Sequence, residues 1–323
     1  GKHRKKNEKI TTHHKNIASA LQKIFEEIYI EIIKYAEKKI KSKNLTLSGG
    51  CALNCKANGL ILKNTKFKDI YIQPASHDAG LAIGAAYLAY LSNNTQIKQN
   101  FIRYDHTYFG PSIKSEQIKK TLKKMGLDFQ NLHDKASYCA KLLKNGKVIG
   151  WFQGRMEFGP RALGNRSILS APYPNNKKNY INNTIKHREP FRPFAPAILE
   201  EKVNDLYKIK IRSPFMLIAT FLKNKRDKNK ISATLHNDLS ARVQTVSKKS
   251  NEEFYNLIKC FDNLTGVPVL LNTSFNDKGE PMICDHLDAL KSFYKTNLDY
   301  LCLNNFLIKN SEKNRKKIKK YFF

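Results

Sequence analysis

Apolar residues recur at helical spacing near the start of the chain, within residues 16–41. The repeating positions are Ile17, Ala20, Leu21, Ile24, Ile28, Ile32 and Tyr35. This spacing predicts a helix that ends near residues 42–44. The following runs predict, in order, a strand (LTLS), a Gly-Gly turn, a helix (ALNCKANGLIL), a strand (DIYIQP) and a helix (GLAIGAAYLAYL). Such alternation is typical of an α/β layer.

This layer is small for an independent domain. Residues 1–95 supply only two clear strands, and the chain begins with glycine rather than methionine. We therefore expect 1–95 to be an incomplete domain whose earlier half is missing. The polar stretch that ends in Gly110-Pro111 predicts a linker at 96–112.

A second domain is predicted over residues 113–310. Helices are expected at SEQIKKTLKKMG, at AKLLKNG, over 252–264 and over 286–295. Strands are expected at VIGWF, FAPAIL, PFMLIATF, VQTV and PVLLNT. Strands outnumber helices, which favours an α+β domain. The basic run 311–323 is expected to be a solvated tail.

Composition excludes several classes of protein. The 323 residues are 41% hydrophobic, yet no apolar run approaches the roughly 18 residues that cross a bilayer. The lysine-rich start is not followed by an apolar signal-peptide core. These features predict a cytoplasmic protein without a membrane partner. The six cysteines form no CxxC pair, so reduced, mostly buried thiols are expected; Cys51 and Cys55 could share a helix face but make no zinc site alone.

The formal net charge of +31 has two interpretations. A clustered basic face attracts phosphate backbones, so a nucleic-acid partner is one of them. The other is compositional drift, because Lys, Asn and Ile are all abundant and the lysines spread along the whole chain. Drift is favoured, and the nucleic-acid interpretation stays open.

Arginine does not follow the lysine distribution. Of 58 basic residues only 11 are arginine, and five of those lie between positions 155 and 192. Guanidinium is planar, always charged and able to grip a phosphate or carboxylate with two parallel hydrogen bonds. The cluster therefore predicts an anion-binding site.

Two stretches carry this cluster. GRMEFGPRALGNRS follows a predicted strand, and its three glycines let backbone amides and Arg155, Arg161 and Arg166 converge on an anion. A glycine-rich surface loop with solvated arginines is the alternative. KHREPFRPFAP interleaves Lys186, Arg188 and Arg192 with prolines, which predicts a rigid platform for these cations.

Later segments add polar groups near strand ends. SARVQTV places Arg242 at a strand start. NTSFN follows an apolar strand and offers Asn272, Thr273, Ser274 and Asn276 as hydrogen-bonding groups. Polar residues at strand ends are typical of ligand sites in α/β layers, although they also simply satisfy turns.

Two further motifs lie in the first domain. Gly49 and Gly50 stand between a strand and a helix, where amides could meet a nucleotide phosphate or merely allow packing. Asp78 follows His77 in a loop of small residues. The pair could ligate a metal or cap a helix, and the chemistry alone favours the cap.

Together these segments resemble the carbamoyltransferase family of nodulation-factor and antibiotic biosynthesis, the NodU/CmcH type. The resemblance rests on LSGGCALNCKANG, QPASHDAGLAIGAAYLAY, VIGWFQGRMEFGPRALGNRSIL, IKHREPFRPFAPAILEE, ARVQTV and GVPVLLNTSFNDKGEP. They occur in family order over about residues 16–308, and the pairing of GPRALGNRS with REPFRPFAP is highly specific.

The resemblance implies an N-terminal domain of the actin-like, sugar-kinase superfamily fold and a C-terminal YrdC-like α+β domain. It implies that the C-terminal domain makes carbamoyl-adenylate from carbamoyl phosphate and ATP, with Mg²⁺ accompanying ATP. The N-terminal domain, with nucleotide and iron or another divalent metal, would pass the carbamoyl group to a hydroxyl-bearing small molecule.

Site residues follow by matching motif. The carbamoyl-phosphate and ATP site would consist of Arg161, Lys186, Arg192, Arg242 and Ser274. Residues of second rank are Arg155, Arg166, Arg188, Asn272 and Asn276. Gly49, Gly50 and Asn54 resemble part of the nucleotide site, and Asp78 resembles a metal ligand. Arg155 and Arg166 are alternatively expected to brace the loop through a pair with Glu157.

Departures from the family pattern limit the prediction. The Gly-rich strand pair and the metal-binding histidine pair of the family are not found, and only Asp78 of the metal set is present. We therefore expect a complete adenylate-forming half and an incomplete transfer half, whose N-terminal remainder could be separately encoded. An RNA-binding module without catalysis and a decayed fragment are the alternatives.

Overall fold

The computed structural model describes residues 3–5, 8–93 and 104–323. Its α-helices are α1 Thr12–Lys39, α2 Cys55–Asn64, α3 Leu81–Asn93, α4 Ser115–Lys124, α5 Lys135–Lys144, α6 Asn176–Thr184, α7 Val203–Leu206, α8 Glu252–Thr265, α9 His286–Lys295 and α10 Glu312–Phe322. Its strands are β1 Asn44–Leu47, β2 Asp69–Ile72, β3 Gln130–Asn131, β4 Ile149–Phe152, β5 Arg166–Ser170, β6 Ala195–Leu199, β7 Ala219–Phe221, β8 Ser240–Arg242, β9 Gln244–Val246, β10 Val269–Ser274, β11 Tyr300–Leu303 and β12 Phe306–Lys309.

The N-terminal segment, residues 8–93, has the predicted alternation of helices and strands. Strands β1 and β2 pair in parallel, and α1 packs on α2. Helix α1 buries Ile30 and Ile33, but the positions whose spacing predicted it face outward. Leu21 and Tyr35, for example, are 69% and 64% exposed. The helix is apolar on two sides, and the described residues cover only one of them.

An eight-stranded mixed sheet forms the larger part of the molecule. The strand order is β3-β12-β11-β4-β5-β10-β6-β9. The pairs β11-β4 and β6-β9 are parallel, and the other neighbours are antiparallel. Ten strands and six α-helices over residues 113–310 agree with the predicted mixture of elements. The actin-like and YrdC-like assignments stay predictions.

Helices cover both faces of this sheet. Successive side chains along each strand therefore enter different cores. Trp151 and Leu169 face one core, to which α5 and α8 contribute buried residues. Phe152 and Ile168 face a second core, to which α4, α9 and α10 contribute. The sheet is therefore the rigid platform from which the loops of the site extend.

The N-terminal segment shares the first of these cores. Ile33 and Ile61 belong to the same buried cluster as Trp151. In addition, Asn58 donates a hydrogen bond to the Leu217 carbonyl at 2.9 Å. The N-terminal segment is thus packed against residues 214–218 and strand β7, which pairs with β8 in a separate two-stranded sheet.

The predicted linker at 96–112 lies partly outside the described residues. Its described part, from residue 104, packs against the body. Thr107 is 1% exposed, and the Met156 amide donates to the Pro111 carbonyl at 2.9 Å.

Several sequence-based expectations were wrong in detail. The predicted tail 311–323 is mostly helix α10, which buries Asn314 and Ile318. Of the run PFMLIATF only β7 at its end is a strand, because residues 214–218 are buried without joining a sheet. Arg242 ends β8 rather than starting a strand.

The cysteines also differ from expectation. All six are free, as predicted, but only Cys139 and Cys302 are buried. Cys51 lies in a 3₁₀ turn that precedes α2, so it does not share a regular helix face with Cys55. Within the described ranges, no helix is long and apolar enough to cross a membrane.

Candidate active site

The loop that joins β4 to β5, residues 153–165, is the centre of the candidate site; we call it the site loop. It connects neighbouring antiparallel strands, so both of its ends are fixed by the sheet. Gly164 has φ +110, and a Cβ there would lie 2.3 Å from the Phe254 ring. A side chain at this position would therefore collide with α8 as well as strain the backbone.

Two of the predicted arginines are used to hold the structure together. Arg166 is fully buried and donates to five backbone carbonyls, including those of Gln153 at 2.7 Å and Cys284 at 3.2 Å. Arg155 is exposed and donates to the carbonyls of Phe109 at 2.7 Å and Gly110 at 3.0 Å. Both brace the loop as the alternative expected, but their hydrogen-bond acceptors are carbonyls rather than Glu157.

Arg161 and Arg242 have the opposite character. Neither guanidinium makes a hydrogen bond or an ion pair with a described residue, and the Nε of each is buried without a partner. Burial, reinforced by the nearby charge of Arg242, lowers the pKa of Arg161 to about 10. Burial likewise lowers the pKa of Arg242. Two buried like charges raise each other's free energy, and a bound anion would relieve this cost.

Lys186 follows helix α6 in the chain and is buried beside the end of β10, with 3% of its surface exposed. Its ammonium donates to the carbonyl of Ser274 at 2.9 Å and to both the carbonyl and Oδ1 of Asn276 at 2.6 Å. Burial, together with the neighbouring Arg188, lowers the pKa of Lys186 to about 7. This lysine can therefore change its charge near neutral pH.

Arg188 and Arg192 extend the cluster toward solvent. Arg188 lies over the Phe194 ring at 4.9 Å and donates to Asn182 at 2.7 Å. Burial, together with the charges of Arg192 and Arg242, lowers the pKa of Arg188 to about 10. Arg192 is exposed and lies 4.0 Å from Glu189.

Electrostatic repulsion connects all five cations. Arg161 interacts with Arg242, Arg242 with Arg188, and Arg188 with both Lys186 and Arg192. Two carboxylates near Lys186 offset part of this repulsion, although each also pairs with another residue, Asp277 with His187 at 2.8 Å and Glu280 with Lys295 at 2.6 Å. The structure therefore brings the predicted cations of the first rank together in one electropositive cluster.

The polar residues at the end of β10 support this cluster. The Ser274 hydroxyl donates to Asn276 Oδ1 at 2.7 Å, which also accepts from Lys186. Asn272 lies deeper in the sheet and donates to Gln244 at 2.8 Å. Its Oδ1 is buried without a partner among the described residues.

The predicted nucleotide residues of the N-terminal segment do not form one group. Gly49 lines a cavity of about 350 Å³ together with His77, Asp78 and Tyr104. Asn54 instead caps α2 by accepting from the Ala57 amide at 3.1 Å. Gly50 begins the 3₁₀ turn between β1 and α2.

The residues present do not by themselves fit a metal ion. His77 caps the short 3₁₀ turn through its Nδ1, which accepts from the Ala79 amide at 3.0 Å. Asp78 starts that turn, so the expected cap exists with histidine as the capping residue. In the part of the chain that the structure describes, no three His, Cys, Asp or Glu side chains converge on a common point. Asp78 alone gives no basis for a step that uses iron.

Sequence reasoning missed most of the groups that position these cations. The amides of Gln153, Asn165 and Asn251 form a buried network beneath the site loop. Cys55, at the start of α2, lies near enough to Arg161 and Arg242 to influence both electrostatically. The available signal was proximity in sequence, because Gln153 directly precedes the glycine-rich motif and Asn165 lies within it.

Guanidinium groups without partners beside a mixed α/β sheet are typical of a protein that binds an anion. Residues 140–310 match the family described as Carbamoyltransferase C-terminus, and residues 1–87 match Carbamoyltransferase N-terminus. The chain belongs to the carbamoyltransferase family, which confirms the resemblance.

Named relatives agree with this assignment. The chain is 39% identical to nodulation protein NolO of Bradyrhizobium diazoefficiens, over 95% of this chain and 56% of the relative. It is 32% identical to the 3'-hydroxymethylcephem-O-carbamoyltransferase of Amycolatopsis lactamdurans, over 83% and 49% of the two chains. An uncharacterised Synechocystis protein is 39% identical over 93% and 53%. The chain thus spans about half the length of the curated relatives it matches.

A solved structure of full-length HypF shares 20% sequence identity and superposes with a TM-score of 0.40. The superposition covers 54% of this chain and 25% of HypF. This similarity is too low to define a shared fold.

Proposed function

We propose that this chain forms carbamoyl-adenylate from carbamoyl phosphate and ATP. One observation carries the proposal: five cations repel one another around the site loop, and Arg161 and Arg242 have no partner. A cluster of this kind needs a ligand with several negative charges. Family membership supplies carbamoyl phosphate as the ligand, and the α-, β- and γ-phosphates of ATP supply further charge.

The proposed chemistry has two steps. Transfer of the phosphoryl group of carbamoyl phosphate to water leaves carbamate and inorganic phosphate. A carbamate oxygen then bonds to the α-phosphorus of ATP, while the bond from that phosphorus to the bridging oxygen breaks and pyrophosphate leaves with the electron pair. Positioned cations stabilise the charge that gathers in such transition states, and Mg²⁺ accompanies the nucleotide.

Individual roles follow from the contacts. Arg161 and Arg242 provide unsatisfied donors for phosphate oxygens. Lys186 and Ser274 lie beside Asn276, where the lysine gains a full charge when an anion arrives. Arg192 is exposed enough to meet the part of the ligand nearest to solvent.

Release of pyrophosphate tests this function. With ATP, carbamoyl phosphate and Mg²⁺ the chain should release pyrophosphate, and a double variant, Arg161→Ala with Lys186→Ala, should lose the activity. Arg226→Ala is the matched control, because Arg226 is exposed and makes no hydrogen bond to a described residue. Wild-type release no faster than that of the double variant would overturn the proposal.

We further propose that transfer to an acceptor hydroxyl requires the part of the enzyme that the relatives carry in addition to the shared region. We place this extra part before the shared region, as the resemblance to the family implies. Helix α1 presents an apolar face that the described residues leave exposed. This face, the α1 face, consists of Ile17, Leu21, Ile24, Ile28, Ile32 and Tyr35, each more than half exposed.

A contiguous exposed apolar surface marks an interaction site. Because the relatives contain about twice the matched length, the preceding part of the carbamoyltransferase is the occupant that the comparison favours. The acceptor would be a hydroxyl-bearing small molecule, as the name of the Amycolatopsis relative indicates for that enzyme.

Co-expression tests the occupant of the α1 face. The chain should co-purify at equal stoichiometry with the segment that precedes the shared region in the Synechocystis relative. Leu21→Glu with Ile28→Glu should abolish the complex. Tyr138→Glu, at a 40% exposed position on α5, should not. Failure to form the complex, or a homodimer of this chain that the α1 variant abolishes, would contradict this occupant.

A further inference from the structure

Backbone amides beyond Arg161 are held by a single buried side chain. One carboxylate oxygen of Glu157 accepts from the amides of Leu163 at 2.6 Å, Asn165 at 2.8 Å and Arg166 at 3.3 Å. Glu157 is 3% exposed. Three amide donors converge on this one oxygen, so Glu157 closes residues 157–166 into a compact loop.

The carbonyl groups of the same segment are held from other parts of the sheet. Side-chain amides donate to three consecutive carbonyls. The pairs are Asn272 with Ala162 at 3.3 Å, Gln244 with Leu163 at 2.9 Å and Gln153 with Gly164 at 3.1 Å. Buried peptide groups need such partners, and here donors and acceptors clamp the loop from two sides.

Arg161 stands directly before this clamped segment, and no hydrogen bond or ion pair with a described residue holds its side chain. No described residue hydrogen-bonds to its guanidinium, and its Nε is buried without a partner. Its position therefore depends on the backbone from which it extends. Gly164 and Gly159 have positive φ values, and glycine allows many backbone conformations when nothing else restrains it.

We propose that Glu157 is a positioning residue that holds the Arg161 guanidinium in place before the phosphate group of the substrate arrives. This inference rests on the function proposed above. If Glu157 is removed, three buried amides lose their acceptor and the loop can satisfy them only by moving. A displacement of about 1 Å in a positioning group can reduce a rate by about 10²-fold.

Three substitutions at Glu157 separate positioning from simple stability. Glu157→Gln keeps a carbonyl oxygen that accepts the same amides, so it should retain the KM for carbamoyl phosphate within about 3-fold. Glu157→Ala should raise that KM by about 10- to 100-fold, with a smaller effect on the KM for ATP. Glu157→Asp, which draws the acceptor back by one carbon, provides an intermediate variant if the alanine variant does not fold. Exposed Glu116→Ala is the matched control and should behave as wild type.

Binding of inorganic phosphate, measured by calorimetry, gives a readout that does not require turnover. Glu157→Asp and Arg161→Ala should each weaken it, and the two together should weaken it no more than Arg161→Ala alone, because both act through one guanidinium. Additive effects would overturn the inference, as would an unchanged KM in a folded Glu157→Ala or Glu157→Asp variant. If the Arg161→Ala variant binds inorganic phosphate as tightly as the wild type does, the proposed function is refuted instead.

Discussion

The site loop and the α1 face each carry side chains without a partner among the described residues. In the site loop these side chains are charged, and on the α1 face they are apolar. At the end of the site loop the carbonyls of residues 162–164 and the amides of residues 163–165 have partners, whereas the guanidinium groups of Arg161 and Arg242 make no hydrogen bond to a described residue. On α1 the backbone is satisfied within the helix, and what remains exposed is a row of large apolar side chains. Uncompensated charge in a rigid frame indicates a small anionic ligand, whereas an uncovered apolar row indicates another part of a protein.

The largest expected effect separates two neighbouring arginines, Arg161 in the site loop and Arg166 at the start of β5. Arg166→Ala should destabilise the folded chain by about 3 kcal/mol or more, because several buried carbonyls lose their donor. Arg161→Ala should leave the free energy of unfolding unchanged or raise it, because it removes one of two mutually repelling buried charges. Chemical denaturation measures both quantities.

The same pair should respond oppositely to ligand. Carbamoyl phosphate should raise the melting temperature of the wild type and not that of Arg161→Ala. If Arg161→Ala proves as destabilising as Arg166→Ala, then Arg161 has a structural role and the distinction between the two arginines fails.

Sequence alone could find this loop but could not separate its arginines. The excess of arginine between 155 and 192 marked the anion site without any structure. Arg161 and Arg166 stand in the same glycine-rich motif, however, and only the folded chain shows that five carbonyls surround one of them. A local signal existed, since Arg166 opens the apolar run RSIL, which is strand β5.

Periodicity had a similar limit. It predicted α1 correctly but could not say which apolar side would be covered, because burial depends on neighbours that the pattern does not contain. For α10 the abundant lysines led to the prediction of a solvated tail instead of a helix. Its buried positions, Asn314 and Ile318, are four residues apart, and Ser311 caps the helix by accepting from the Asn314 amide. Spacing and the cap could have predicted it.

Lys186 should make anion binding depend on pH. Its folded-state pKa of about 7 lies below the ordinary value of 10.5, so between these limits the folded chain holds fewer protons than the unfolded chain. Stability from this source therefore rises with pH through that window and is lowest below pH 7. An anion favours the charged lysine, so carbamoyl phosphate should bind with uptake of up to about one proton near pH 8 and more weakly as pH rises.

Calorimetry in two buffers of different ionisation enthalpy measures that uptake. Lys186→Met should abolish it, because the variant has no amine to protonate. Equal apparent enthalpies for the wild type in the two buffers would show that Lys186 does not change its charge on binding.

The smallest effects are expected from the lysines of α10, which test whether the net charge of +31 has a function. Lys316 and Lys320 lie on the outer side of this helix, away from the buried Ile318. If the lysines reflect composition, Lys316→Glu with Lys320→Glu should change stability by no more than about 0.5 kcal/mol. Pyrophosphate release and its dependence on carbamoyl phosphate should be unchanged. The wild type could instead bind RNA in a salt-sensitive way, and this variant could lose that binding. Such a result would show that the basic surface recognises a polyanion. The uncompensated charge of the molecule would then extend beyond the site loop.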